Sequence, residues 1–109
     1  MDLLKINNDE QINNTIRENE MVILYFSNKV CGACEVIKTK VEKILKSYTK
    51  VKSVEIDGEE NIEFAAMNDV FSFPLLILYV NGKETIRVGR NIDFLELEKS
   101  IKRYYDILF

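Results

Sequence analysis

The sequence predicts an α/β domain built on a mixed sheet with helices on both faces. Three observations carry that prediction. Two strand-length runs, "MVILYF" (21–26) and "LLILYV" (75–80), are apolar at every position, as strands buried on both faces are. Helical and strand-like patterns alternate along most of the chain, which points to parallel pairing. Asn81-Gly82 then separates two strand-like runs, the strongest short hairpin signal, because both residues accept positive φ in a type I′ turn.

Each element has its own local reason. "LLKI" (3–6) reads as a short strand. Segment 9–19 reads as a short helix capped by Asn8 or Asp9, with Ile12 and Ile16 one turn apart. After the strand 21–26, the cysteine-bearing stretch opens a longer helix. Its Cys34, Ile37, Val41, Ile44, Leu45 and Tyr48 share one face, opposite lysines and glutamates. "VKSVEID" (51–57) alternates, with Val54 and Ile56 on one side and Glu55 on the other, and Gly58 ends it. Segment 61–70 reads as another short helix. The hairpin strands are 75–80 and 83–88. Phe94, Leu97, Ile101, Tyr104 and Leu108 step by threes and fours along a closing helix. The expected order is β-α-β-α-β-α-β-β-α.

A chain of 109 residues without repeat, linker or low-complexity segment is expected to form one domain over 1–109. Hydrophobic residues make up 47% and charged residues 30%, enough for a core beneath a polar surface without staples. The net charge is −3 and the lysines lie scattered among acids, so no basic stripe for nucleic acid is present. No apolar run has the length to span a bilayer, and the first residues lack the pattern of a signal peptide. No membrane association is expected, and the expected compartment is the cytoplasm. Two cysteines are too few for a secreted disulfide scaffold.

Both cysteines stand in "SNKVCGACEVIKTKVEKIL" (27–45), three positions apart. Such a pair fits a metal site, a structural clip or a redox couple. A zinc site wants four Cys or His ligands, and the chain has two cysteines and no histidine, so only a metal or cluster shared across a dimer keeps that reading open. No metal site is assigned. A clip across so short a loop stabilises by about 2 kcal/mol at most, and it joins residues the helix already holds together. Thiols in the cytoplasm are kept reduced, which favours redox chemistry over structure. Cys31 comes just before the helix, where unpaired N–H groups and the helix dipole favour a thiolate; Cys34 lies one turn in, on the apolar face. An exposed nucleophile beside a sheltered partner suits stepwise exchange, with Cys31 attacking and Cys34 resolving. Gly32 and Ala33 are small enough to admit a substrate disulfide and to permit the tight oxidised ring. Neither brings a cation to the thiolate, so a strongly oxidising site is not expected.

The chain resembles the thioredoxin family. The resemblance rests on "VILYF" leading into "CGAC", on "VEID", on "FSFPLLILYVNGKE" and on "VGR" before the last helix, in the family's order across nearly the whole chain. It implies the thioredoxin fold, a three-layer α/β/α arrangement around a central five-stranded mixed sheet. Pro74 would be the family's cis-proline facing the cysteine pair. Phe73 would offer its backbone to a substrate strand, as in β-augmentation, and Gly89 would let a loop pass close to that groove. The implied activity is reduction of protein disulfides, with no bound cofactor and with a thioredoxin reductase as electron donor. The chain is expected to be a monomer.

The departures are specific. Families of this type usually read W-C-G-P-C, where this chain has Val30 and Ala33. The family's buried aspartate matches Tyr25 and its lysine partner matches Ser53, so the resolving step is expected to be slow, with water taking the proton and Glu55 facing the wrong side of the sheet. Val30, Ala33, Phe71 and Phe73 form an apolar collar, with Phe71 meeting partners, while Lys29 and Glu35 read as solvated surface. A glutathione-linked reductase or disulfide isomerase is one alternative, although the C-P-Y-C of glutaredoxins is absent. A thioredoxin-like binding module or redox sensor is the other.

Overall fold

The computed structural model describes the backbone of Leu4 and Lys5 and all of residues 8–109. Its elements follow the expected order: β1 (Leu4–Lys5), α1 (Asp9–Glu18), β2 (Met21–Ser27), α2 (Gly32–Leu45), β3 (Lys52–Asp57), α3 (Ile62–Met67), β4 (Leu75–Val80), β5 (Lys83–Val88) and α4 (Phe94–Leu108). Leu3 and Ile6 of the expected first strand lie outside the described residues. Asn8 is the cap of α1, its side chain accepting from the Gln11 N–H.

The five strands form one sheet in the order β1-β3-β2-β4-β5. The pairs β1/β3 and β2/β3 are parallel, and β2/β4 and β4/β5 antiparallel. The two apolar runs, 21–26 of β2 and 75–80 of β4, are the sheet's inner neighbours, which is why both of their faces are buried. At the hairpin, Asn81 has φ 51° and Gly82 φ 80°, the left-handed pair that the Asn-Gly sequence predicts.

Two apolar clusters lie on opposite faces of the sheet. Ile23, Tyr25, Leu76 and Leu78 meet Ile37, Val41 and Leu45 of α2 and Leu97 and Ile101 of α4. Val22, Leu24, Phe26, Val54, Ile56 and Ile77 meet Ile12 and Ile16 of α1 and Phe64 and Ala65 of α3. The alternation within each strand thus splits its side chains between two cores.

One helix is shorter than expected. The pattern over 61–70 predicts helix to Val70, but α3 stops at Met67. Asp69 turns left-handed with φ 57°, and Val70 folds back, its N–H donating to the Ala65 carbonyl at 2.8 Å. Val70 is therefore buried as the hydrophobic closure of a helix end, not as a further helical turn.

Candidate active site

Strand β2 ends at Ser27, and a turn over Asn28–Val30 delivers Cys31 to the start of α2. The Asn28 side chain accepts from the Val30 N–H at 2.9 Å, and the Cys31 N–H donates to the Asn28 carbonyl at 3.3 Å. Cys31 is itself the N-cap of α2: its sulfur accepts from the Cys34 N–H at 3.1 Å. This is the placement read from the sequence, one sulfur at the dipole's positive end and the other a turn inside.

Cys31 and Cys34 are joined as a disulfide, with their Cα atoms 5.3 Å apart. Cys34 is only 2% exposed, whereas Cys31 is half-buried. A Cβ placed on Gly32 would meet no atom within 4 Å, so the approach over the pair is open there. Ala33 is half-buried between the two cysteines.

Opposite them, the Phe73–Pro74 peptide bond is cis, as the resemblance implies. The Phe73 carbonyl oxygen lies 3.9 Å from the Cys31 sulfur. A Cβ on Gly89 would come 3.9 Å from the Pro74 carbonyl, ordinary contact, which puts that loop alongside the proline. The Phe73 ring turns the other way and lies on Gly58; a Cβ at Gly58 would overlap the ring. Gly58 thus ends β3 and also makes room for Phe73. Val30 and Phe71 are exposed, so Phe71 is a surface side chain and not core.

Beneath the pair, Tyr25 of β2 sends its hydroxyl up to donate to the Cys34 carbonyl at 2.6 Å. Burial, and secondarily the charges of Glu55 and Glu35, push its phenol well above the ordinary tyrosine range, so it stays a donor.

Glu55 corrects the sequence reading. Its position pairs with Tyr25 across the parallel β2/β3 ladder, so its side chain points to the cysteine side of the sheet. The carboxylate is nearly fully buried. Oε2 accepts from Ser27 Oγ at 3.1 Å, and Lys38 Nζ lies 3.1 Å from Oε1 as an ion pair off hydrogen-bond alignment. Burial opposes the Lys38 charge, yet the Glu55 carboxylate beside it leaves its pKa raised overall. Glu55 also lines a cleft of about 390 Å³ together with Cys31, Gly32, Glu35 and Asp57. Ser53, where the family has lysine, is buried and its hydroxyl has no partner among the described residues.

A second residue was not anticipated. Arg90, directly after Gly89, donates from its guanidinium to the Phe73 carbonyl at 3.1 Å. The same oxygen therefore meets the Cys31 sulfur on one side and a cation on the other.

The thioredoxin family model matches residues 3–103. The chain belongs to the thioredoxin family. It is 30% identical to thioredoxin-1 of Saccharomyces cerevisiae over 78 residues, which covers 72% of this chain and 76% of the yeast protein. It is 29% identical to the thioredoxin-like protein YdfQ of Bacillus subtilis, covering 86% of this chain and 84% of that one. Among solved structures, the oxidised mitochondrial thioredoxin 3 of Saccharomyces cerevisiae superposes with a TM-score of 0.82 at 25% identity, covering 93% of this chain and 94% of that chain. The thioredoxin of Trypanosoma brucei brucei gives 0.84 at 25% identity, over 95% and 91% of the two chains. With its cysteine pair at the helix start, this thioredoxin-family protein is a thiol–disulfide oxidoreductase.

Proposed function

We propose that the protein works as a reductant of protein disulfides, drawing its electrons from a flavin-dependent reductase. The observation that carries this is the asymmetry of the pair: a half-buried Cys31 held at a helix N-terminus, and a fully buried Cys34 one turn away.

In the reduced protein, the Cys31 thiolate attacks one sulfur of a substrate disulfide. A bond forms between Cys31 and that sulfur, and the other substrate sulfur leaves as a thiolate. Cys34, after losing its proton, attacks the Cys31 sulfur; the Cys31–Cys34 disulfide forms and the second substrate thiolate is released. Two electrons pass from the dithiol to the substrate, and two protons follow. The cis Phe73–Pro74 bond opposite the pair, and Gly89 beside it, leave the Phe73 backbone facing the groove where a substrate strand would lie. Gly32 and Ala33 keep the approach low.

The test is the equilibrium potential of the Cys31–Cys34 pair, read by alkylation across graded dithiothreitol buffers. A value below about −230 mV is expected for a reductant, whereas one near about −180 mV turns the reading toward isomerase or oxidase. A Cys34→Ser variant should also accumulate mixed disulfides through Cys31. If no intramolecular disulfide forms at any potential, the redox reading fails and a binding module takes its place.

A further inference from the structure

We propose that Arg90 is a carboxylate-binding residue of the substrate groove, so that the protein prefers disulfide substrates carrying an acidic side chain close to the reacting cysteine. The inference rests on the oxidoreductase reading above and names the substrate class that reading leaves open.

The geometry comes first. The Arg90 guanidinium and the Cys31 sulfur touch the same atom, the Phe73 carbonyl oxygen, at 3.1 and 3.9 Å, so they lie within about 7 Å of each other. That is the reach of one short side chain from a reacting disulfide.

The charge of Arg90 is not spoken for. Its neighbour Arg87 is committed elsewhere: it pairs with Glu84 and donates to the carbonyls of Asn68 and Asp69. Arg90 is exposed, and among the described residues its partner is the Phe73 carbonyl alone, with no carboxylate at ion-pair distance. On a chain of net charge −3 this places an unpaired cation beside the reactive bond.

The other rim carries the opposite sign. Glu35, Glu55 and Asp57 line the cleft on the α2/β3 side of Cys31; Lys38 pairs with Glu55 and Lys29 with Glu60, which leaves Glu35 and Asp57 to give that rim its negative charge. A substrate carboxylate is repelled from that side and drawn to Arg90, which fixes the direction in which a substrate lies across the pair.

Docking explains why the guanidinium sits on this particular carbonyl. A substrate strand that donates to the Phe73 carbonyl shares that oxygen with Arg90 and weakens its hold there. A substrate with a nearby carboxylate gives the guanidinium a charge-assisted, forked partner in exchange, stronger than the neutral carbonyl it leaves. A substrate with lysine there offers nothing and repels it.

The experiment measures single-turnover oxidation of the reduced protein by peptide disulfides. The peptides differ only by Glu, Gln or Lys at each position from two before to two after the cysteine. The neutral bis(2-hydroxyethyl) disulfide serves as control. At the best position the natural protein should react about 10-fold faster with the Glu peptide than with the Lys peptide, and high salt should compress the ratio. Arg90→Ala should bring the Glu/Lys ratio to near one and Arg90→Glu should invert it, each rate being taken relative to the neutral disulfide with the same variant so that a general change in Cys31 reactivity cancels. An unchanged Glu/Lys ratio in Arg90→Ala, or no preference in the natural protein, overturns the inference while leaving the oxidoreductase intact. Failure of the natural protein to reduce even the neutral disulfide overturns both.

Discussion

The Tyr25 hydroxyl donates to the Cys34 carbonyl across 2.6 Å, tying the floor of the sheet to the first turn of the catalytic helix. Where the family places a buried acid, this chain has a neutral donor that holds the Cys34 backbone from below. Tyr25→Phe removes that bond without changing the ring's packing. Stability should fall by about 1 kcal/mol, the usual net worth of a buried neutral hydrogen bond. Urea denaturation of the oxidised protein measures it, and a loss of zero would mean the contact is incidental.

Tyr25 also predicts how stability responds to alkali. Its folded pKa lies above the unfolded value of about 10, mainly through burial and then through Glu55 and Glu35. Above that pH the unfolded chain loses the proton that the folded chain keeps, so stability falls as pH rises. Lys38 acts in the same direction: its raised pKa gives stability that is fully present below about 10.4 and lost as pH climbs through the folded value. Urea midpoints of the oxidised protein between pH 8 and 11 should therefore decline. The Tyr25→Phe decline should be shallower, and parallel curves would contradict this.

Gly58 is where the ring of Phe73 rests, so Gly58→Ala forces that ring to move. Overpacking of this kind costs about 1–3 kcal/mol. Because the same residue carries the carbonyl facing Cys31, reduction of a protein disulfide should slow by more than reduction of a small symmetrical one. Equal slowing of both would show that the groove tolerates the shift.

Glu55 stands in the cleft with Cys31, held by Ser27 and Lys38. Glu55→Gln keeps the shape and removes the buried carboxylate, which tests it as acceptor of the Cys34 proton. Stopped-flow traces should show an unchanged attack by Cys31 and a release step slower by about 10-fold or more, in the range of a lost proton acceptor. If both steps keep their rates, water alone takes the Cys34 proton, as the sequence reading has it. Lys38→Met is the companion: it leaves the carboxylate buried without its cation and should destabilise by about 1–3 kcal/mol, below the full cost of breaking a buried pair because Lys38 is partly exposed.

The fold was legible because the runs 21–26 and 75–80 are apolar throughout and the helices between strands are amphipathic, and both patterns survive without knowledge of neighbours. The cysteine pair was legible from its spacing and its place before a helix. What escaped depends on tertiary placement. Alternation puts Val54 and Glu55 on opposite faces, but which face meets α2 depends on the Tyr25–Glu55 register, and that is set by pairing between distant segments. Parallel alignment of 51–57 beside 21–27 was the available signal. The overlong third helix came from counting Val70 as helical; a glycine at 69 would have marked the left-handed turn that an aspartate takes here unannounced. Arg90 was missed since its reach to Phe73 exists only once the β5–α4 loop closes over the proline, although its position beside Gly89 was the clue.

The sulfur that caps α2 belongs to the Cys31–Cys34 pair, so in the proposed cycle the cap changes whenever that sulfur changes its bonding. Every change in the bonding of Cys31 alters the acceptor seen by the Cys34 amide proton, from thiolate to disulfide to mixed disulfide. That one amide is consequently a native reporter: its NMR shift and its hydrogen-exchange rate should follow the catalytic cycle without any added probe, with slowest exchange when the acceptor is the charged thiolate.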